Sequence, residues 1–574
     1  MTATDTYLLL RAFCDELARC GVTDACTSPG SRSTPLVLSL AREPGLRAWS
    51  HVDERVSGFF ALGLAKRTGR PAAVAVTSGT AAAELAPAVI EAAEARVPLL
   101  VLTADRPPEL RDVGAGQTID QLKLYGSAAK RFVEVGVVGE ATAARVRWIR
   151  ALACRAVWTA LDGRPGVVHL NFPLREPLVV DGPLPPDPAP GRPGRRPWVA
   201  REAAGGAAAD AALLPAPAAR AVVVAGRDER DAGFGAAVAG FAAAAGYPLL
   251  ADPLSDARRG PAAIAHYDAL LRDERLASGL RPELVVRVGD LPTSKPLRAW
   301  LTGLDGVEQV AIDPERAWHD PDGVVTARIA ADPVALLRAG AERHRGAGEP
   351  AWMERWRGAD AAAAEAIAAT IGDGTDDALN EPRIAAELVA ALDGAATLLV
   401  AASMPIRDVE TFAAARDDGP RVLSNRGANG IDGTVATALG IAAGGAGPTA
   451  LLIGDVTLAY DLSALLSALR LGLDLAIVLV DNGGGGIFDF LPVATQSDHY
   501  ERHVATPHGL DFALAAQLYG ARHAPVATAA ELRAALAAAT APGAGVTIVH
   551  ARTDRAANVA LHRRVWAAVA DALG

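Results

Sequence analysis

Two hard-oxygen side chains stand 27 residues apart in the C-terminal third of this 574-residue chain. Asp455 follows the apolar run Ala450-Leu451-Leu452-Ile453 and Gly454; Asn482 follows a second run, Leu475 to Val480, and Asp481. Four glycines, Gly483 to Gly486, come next. Between the runs Leu462, Leu465, Leu466 and Leu469 recur at helical spacing, which predicts a strand–helix–strand unit. Asp455 and Asn482 then sit just past the carboxyl ends of neighbouring parallel strands, where such sheets bind ligands. A carboxylate and an amide oxygen with glycine carbonyls beside them suit Mg²⁺, which completes its octahedron with phosphate oxygens and water.

A second set of residues is cationic and lies in Gly/Pro loops. Ser28-Pro29-Gly30-Ser31-Arg32-Ser33-Thr34-Pro35 is a glycine turn opening a helix, a natural anion site through its free N–H groups. Arg32 adds a bidentate partner for a carboxylate. Arg106 stands at a strand end with Gln117 soon after, and Lys295 lies in Thr293-Ser294-Lys295-Pro296 beyond the strand ending at Val288. Ala402-Ser403-Met404-Pro405-Ile406-Arg407 and Ser424-Asn425-Arg426-Gly427 add Arg407 and Arg426. Each arginine alone reads as a surface or salt-bridge residue. As a set, on loops of the ligand side, they fit substrates with several carboxylates.

A third candidate is the segment Trp49-Ser50-His51-Val52-Asp53-Glu54-Arg55, ahead of a helix whose face carries Val56, Phe59, Phe60 and Leu64. A carboxylate near a helix N-terminus is stabilised when ionised, whereas burial raises its pKa. That tension suits a proton-sharing group. The residue types leave Asp53, Glu54 and His51 open, His51 reading as a strand-end residue.

The elements that must position these groups are α/β in pattern. The length implies about three to four domains, and 51% hydrophobic residues supply large cores. Residues 181–200 are a Pro-rich linker. It separates a first α/β block, 1–180, with strands over Ala72–Thr77, Leu99–Thr103 and Val167–Asn171, from a central block, 201–345. There Ala221–Ala225, Leu284–Val288 and Val310–Asp313 read as strands. A polar helical stretch near 350–370 leads to a third block, 375–574. Three doubly wound parallel-sheet domains are expected.

The net charge of −10 argues against a general nucleic-acid binder. No apolar run approaches the roughly 20 residues needed to span a bilayer. Nor does the N-terminus read as a signal peptide, so a cytoplasmic location is expected. Cys14, Cys20, Cys26 and Cys154 lack metal-ligand spacing and read as buried thiols.

Gly-Asp followed by Asn at this spacing resembles the diphosphate-binding motif of thiamine diphosphate (ThDP) enzymes, although Val456 stands where the motif has a third-position glycine. The resemblance implies that Asp455, the Asn482 side chain and the Gly484 carbonyl hold Mg²⁺ (Mn²⁺ being an alternative), with Gly454 in the same cofactor motif. It also selects Glu54 as the catalytic carboxylate against the aminopyrimidine ring. In such enzymes that glutamate and the metal motif come from different protomers, which implies a homo-oligomer, a dimer or tetramer. The three blocks would then be the pyrimidine-binding, central Rossmann-like and diphosphate-binding domains.

Taken together, segments 28–36, 49–55, 102–117, 403–407, 424–433 and 454–492 resemble one family of ThDP enzymes. These are the 2-succinyl-5-enolpyruvyl-6-hydroxy-3-cyclohexene-1-carboxylate synthases, transferases of menaquinone biosynthesis. The resemblance implies decarboxylation of 2-oxoglutarate and conjugate (1,4) addition of the succinyl-semialdehyde carbanion to isochorismate. It assigns Ser31, Arg32, Arg106, Gln117, Lys295, Ser403, Arg407 and Arg426 to substrates. Ile431 would wedge the cofactor into its V shape, and Ile487, Phe488 and Leu491 would wall the reacting centre. The rival readings are an acetohydroxyacid synthase-like carboligase or decarboxylase of small 2-oxo acids, and a non-catalytic metabolite sensor. For the sensor, Arg220, Arg227 and Arg287 of the central block would line an effector site.

Overall fold

The protein is described by a computed structural model covering residues 2–137, 139–202, 209–229, 233–372, 377–496 and 498–574. The expected start of the third block, at 375, lies outside the described residues.

Three all-parallel sheets form. The first holds β1 (Asp24–Thr27), β2 (Arg47–Ser50), β3 (Ala72–Val76), β4 (Leu99–Asp105), β5 (Ala129–Glu134) and β6 (Val167–Pro173), in the order β2-β1-β3-β4-β6-β5. The second holds β7 (Ala221–Ala225), β8 (Leu249–Ala251), β9 (Leu284–Val288), β10 (Glu308–Ile312) and β11 (Ala327–Ile329), ordered β11-β10-β9-β7-β8. The third holds β12 (Thr397–Val400), β13 (Arg421–Leu423), β14 (Thr449–Gly454), β15 (Leu475–Asp481), β16 (Arg522–Val526) and β17 (Val546–Arg552), ordered β13-β12-β14-β15-β17-β16. Inner strands such as Ala-Ala-Val-Ala-Val of β3 and Ala-Val-Val-Val-Ala of β7 are continuous apolar runs, because helices cover both faces. The edge strands β2 and β16 each begin with an exposed arginine, and β16 carries Pro525, features that discourage pairing with another sheet.

In each sheet the order reverses within the sheet, and loops that diverge at such a reversal open a crevice at the carboxyl ends of two strands. The reversal falls between β1 and β3 in the first sheet, β7 and β9 in the second, and β12 and β14 in the third. The loops there begin with Ser28 and Thr77, with Gly226 and Gly289, and with Ala401 and Asp455.

The chain divides into two compact units. One comprises Met1–Glu202, Asn425–Ala446 and Tyr460–Asp474; the other comprises Ala203–Ser424, Gly447–Ala459 and Leu475–Gly574. The first sheet belongs to the first unit, and the second and third sheets to the second. The helix Thr434–Gly444 therefore packs in the first unit, against the helix Glu54–Thr68. Their backbones approach at glycines: a Cβ on Gly440 would lie 2.1 Å from the Phe60 carbonyl oxygen, and one on Gly63 would lie 2.1 Å from that of Thr437. Gly440→Ala is expected to destabilise the protein by about 1–3 kcal/mol through overpacking, read as a lowered thermal unfolding midpoint. An unchanged midpoint would show that the two helices part without cost.

Between β14 and β15 the expected single helix is two short ones, Asp455–Tyr460 and Ala464–Leu471. The break shifts the buried face to Ala464, Leu465 and Ala468, and Leu469, expected inside, is 56% exposed. The four cysteines are buried and free, and the Sγ atoms of Cys20 and Cys154 are 3.6 Å apart. Among the described residues no helix is long and apolar enough to cross a membrane.

Candidate active site

In the second unit the register of the third sheet brings the oxygen ligands to one level. Gly454 pairs with Val480, so Asp455 and the Asp481–Asn482 pair leave the sheet side by side. Asp455 is 2% exposed. Its Oδ1 accepts from the Val456 amide at 2.7 Å, and its Oδ2 accepts from the Gly484 amide at 2.9 Å. Gly484 adopts φ 154°, and a Cβ there would meet the Ala505 carbonyl oxygen at 2.6 Å. Glycine is thus required where the loop turns back on Asp455. Asn482 Nδ2 donates to Glu381 at 2.9 Å, while the buried Asn482 Oδ1 has no hydrogen-bond partner among the described residues. A buried amide oxygen without a donor is costly unless something binds it, and with Asp455 beside it the donor set fits a hard cation.

Sequence reading missed three groups around this pair. His508 Nε2 stands 3.2 Å from Asp455 Oδ2. Ligand-type atoms of Asp455, Asp481 and His508 lie within 4.8 Å of one another. Glu381, which orients Asn482, is held up to about 7 by burial and by the nearby Asp408 charge.

The second unit also holds a cavity of about 410 Å³, lined by Lys295, Arg407, Ile487, Leu491, Phe490 and Arg563 among others. Four of the expected substrate residues therefore meet in one place, with Phe490 rather than Phe488 in the wall; Phe488 is 37% exposed. Arg407 opens toward this cavity from the helix Met404–Phe412, which starts at the β12–β14 reversal. Burial lowers its pKa, and it donates to the Ser403 carbonyl. Ser403 itself has φ 77°, an unusual conformation for a residue with a side chain, of the kind that clusters at binding sites.

The first unit brings Arg106 and Gln117 together around Ser78, in the loop after β3. Arg106 Nη1 donates to Ser78 Oγ, and Nη2 donates to the Gly116 carbonyl at 2.8 Å. Ser78 Oγ donates to the Gln117 carbonyl at 2.9 Å, and Gln117 Nε2 returns a bond to the Ser78 carbonyl at 3.1 Å. Burial and then the Arg32 charge lower the Arg106 pKa. Arg32 is buried; it donates to the Leu174 carbonyl at 2.9 Å and pairs with Glu176 at 3.3 Å. Its Nε and the Ser28 hydroxyl are buried without a partner among the described residues. Ser31 is exposed and Arg426 half-buried. Ser78 went unread, although Thr77-Ser78-Gly79-Thr80 is the same kind of glycine turn after a strand as the one at Gly30.

The three acid–base candidates of the first unit also separate. Asp53 caps the helix Glu54–Thr68, accepting from the Val56 amide at 3.2 Å and from Ser463 Oγ at 2.9 Å. His51 is fully buried, its Nδ1 2.9 Å from Ser467 Oγ, and burial lowers it to about 4. Glu54 occupies the first turn, half-buried, and burial raises its pKa. The Ile431 loop reaches the same helix, since Gly433 lies so close to Phe59 that a Cβ would sit 2.0 Å from its ring. In the central sheet Arg220 pairs with Glu283 at 3.1 Å, Arg227 with Asp290 at 2.6 Å and Arg287 with Asp320 at 3.3 Å.

Comparison with known proteins gives matches along the whole chain. The family model "Thiamine pyrophosphate enzyme, N-terminal TPP binding domain" matches residues 9–124. "Middle domain of thiamine pyrophosphate" matches 193–400, and "Thiamine pyrophosphate enzyme, C-terminal TPP binding domain" matches 409–551. A protein of Halobacterium salinarum named 2-succinyl-5-enolpyruvyl-6-hydroxy-3-cyclohexene-1-carboxylate synthase is 44% identical over 97% of both chains. Relatives with the same name from Chloroflexus aurantiacus (42% identical, 98% of this chain and 96% of that one) and Geobacillus kaustophilus (43%, 97% of both) match equally fully.

Proposed function

The chain belongs to the thiamine-diphosphate-dependent 2-succinyl-5-enolpyruvyl-6-hydroxy-3-cyclohexene-1-carboxylate synthases, and from that premise we propose that it decarboxylates 2-oxoglutarate and joins the four-carbon remainder to isochorismate by 1,4-addition in menaquinone biosynthesis. One observation carries the reading: Lys295 and Arg407 share a cavity with the apolar Ile487 and Leu491, and neither forms an ion pair among the described residues. Cations left unpaired beside an apolar wall suit a substrate whose carboxylates they neutralise and whose carbon skeleton the wall covers.

ThDP, when bound, supplies the electron sink for decarboxylation. The chain's own residues bind, orient and exclude water. Asp455, Asn482 Oδ1 and the Gly484 carbonyl would hold Mg²⁺ or Mn²⁺ against the diphosphate, next to Gly454. Glu54 would hold a proton at the aminopyrimidine, and Ile431 would support the cofactor's bend. Ser31, Arg32, Arg106, Gln117, Ser403 and Arg426 would orient the substrates, with Phe490 beside Ile487 and Leu491 shielding the reacting carbon from water. We assign residues 1–180, 201–345 and 375–574 to pyrimidine-binding, central and diphosphate-binding domains joined by the linker 181–200. The active unit is a homo-oligomer with sites between subunits, working in the cytoplasm.

The test is to incubate the purified protein with ThDP, Mg²⁺, 2-oxoglutarate and isochorismate and to identify products by mass spectrometry. The expected result is a succinylated cyclohexene adduct with release of CO₂. Turnover of pyruvate without that adduct would move the chain to the acetohydroxyacid synthase type.

A further inference from the structure

The C-terminal helix Arg555–Leu573 brings to the cavity of the second unit a cation that the motifs do not contain. Arg563 lines that cavity with Lys295 and Arg407, and like them it forms no ion pair among the described residues. The acidic groups on the same walls are each engaged. Asp408 Oδ1 is 3.0 Å from His562 Nε2, Asp268 pairs with Arg272 at 3.0 Å, and Glu410 pairs with Arg258 at 3.2 Å. Burial, the largest influence, lowers the pKa of His562, but the hydrogen bond and charge of Asp408, with the Asn558 carbonyl and the Glu381 charge, together raise it. Asp408, Asp268 and Glu410 thus each have a partner, whereas Lys295, Arg407 and Arg563 have none at ion-pair distance among the described residues.

Asp408 and Asp268 attract Arg407, yet Lys295, Arg407 and Arg563 have no ion pair of their own among the described residues and repel one another. Their proximity is tolerable in solvent and becomes favourable once a dicarboxylate enters. Arginine adds a planar fork that fixes a carboxylate in two directions, which a lysine at the same place does not. We infer that Arg563 is a specificity-determining residue of this site, its guanidinium binding a carboxylate of a dicarboxylic substrate; the inference rests on the cavity being the substrate site proposed above. Arg564, its neighbour, lines a separate cavity of about 510 Å³ with Asp554 and Asn558, and so provides an internal control.

The experiment uses full-length enzyme loaded with ThDP and Mg²⁺ and compares Arg563→Ala, Arg563→Lys and Arg564→Ala with the wild type. The Michaelis constants for 2-oxoglutarate and for isochorismate are measured separately. Arg563→Ala is expected to raise one of them about tenfold or more, the loss usual for a charge-assisted hydrogen bond. Turnover at saturation should fall by less. Arg563→Lys should recover part of the loss, and Arg564→Ala should match the wild type. Whichever constant moves identifies the substrate that is held. If it is 2-oxoglutarate, the preference over 2-oxobutyrate, which lacks the second carboxylate, should shrink by the same factor. Unchanged constants for both substrates would overturn the inference, as would an equal loss in Arg564→Ala, which would mark a packing effect of the helix. A wild-type enzyme that forms no adduct would remove the proposed function itself, a result distinguishable from either.

Discussion

Glu54→Gln enzyme is expected to form product on the order of 10² times more slowly, the usual loss with an acid–base group, while binding ThDP and Mg²⁺ as the wild type does. The substitution keeps the side chain's length and one acceptor oxygen but removes its ability to take and return a proton. Position supports this carboxylate over its two neighbours. Asp53 is committed to the helix cap through the Val56 amide, and His51 is buried against Ser467 and Phe60 with its pKa down at about 4. Glu54 is half-buried, and desolvation pushes its pKa upward while its own backbone amide opposes the shift. A carboxyl drawn both ways is suited to share a proton. Asp53→Asn supplies the contrast, because asparagine caps a helix as well as aspartate does and turnover should stay near the wild-type rate. The assignment is lost if Glu54→Gln turns over normally, or if the larger loss follows Asp53.

Much of this was written in the chain's local pattern. The apolar runs that became β3, β4, β6, β7, β9, β14 and β15 are buried on both faces, and such strands announce themselves without knowledge of their neighbours. Glycine and serine loops after strands marked the reversals at β1 and β12, because a crevice needs backbone that can turn sharply. What stayed hidden depends on distance along the chain. Glu381 reaches Asn482 across 101 residues, and nothing local to either marks the meeting. His508 and Arg563 are likewise brought to the site by packing, one after an irregular segment and the other on a helix whose sequence reads as an ordinary amphipathic surface. The same limit hid partners that occupy a charge. Arg32 is met by Leu174 and Glu176, more than 140 residues on, which nothing near it announces. Leu469 shows the converse. Its helical spacing from Leu462 was real, but a break after Tyr460 turned the second helix and left it in solvent.

For Asp455→Ala the expected loss is of the cofactor itself. In the wild type, adding ThDP with Mg²⁺ should raise the thermal unfolding midpoint, since a ligand that binds only the folded state at about 100 times its Kd stabilises by about 2.7 kcal/mol. With ThDP alone and a chelator present the rise should largely vanish. The alanine variant should behave as the chelated wild type does whether or not Mg²⁺ is added. The reason lies in the geometry: Asp455 accepts from the Gly484 amide at 2.9 Å and stands beside the corner where Asn482 Oδ1 is left without a donor among the described residues. Removing it takes away a charged ligand and the anchor of the loop that would present the Gly484 carbonyl. Glu54→Gln should keep the full Mg²⁺-dependent rise, so the two variants separate holding the cofactor from using it. A Mg²⁺-dependent rise that survives in Asp455→Ala would place the metal elsewhere, with Asp481 and His508 the residues to replace next.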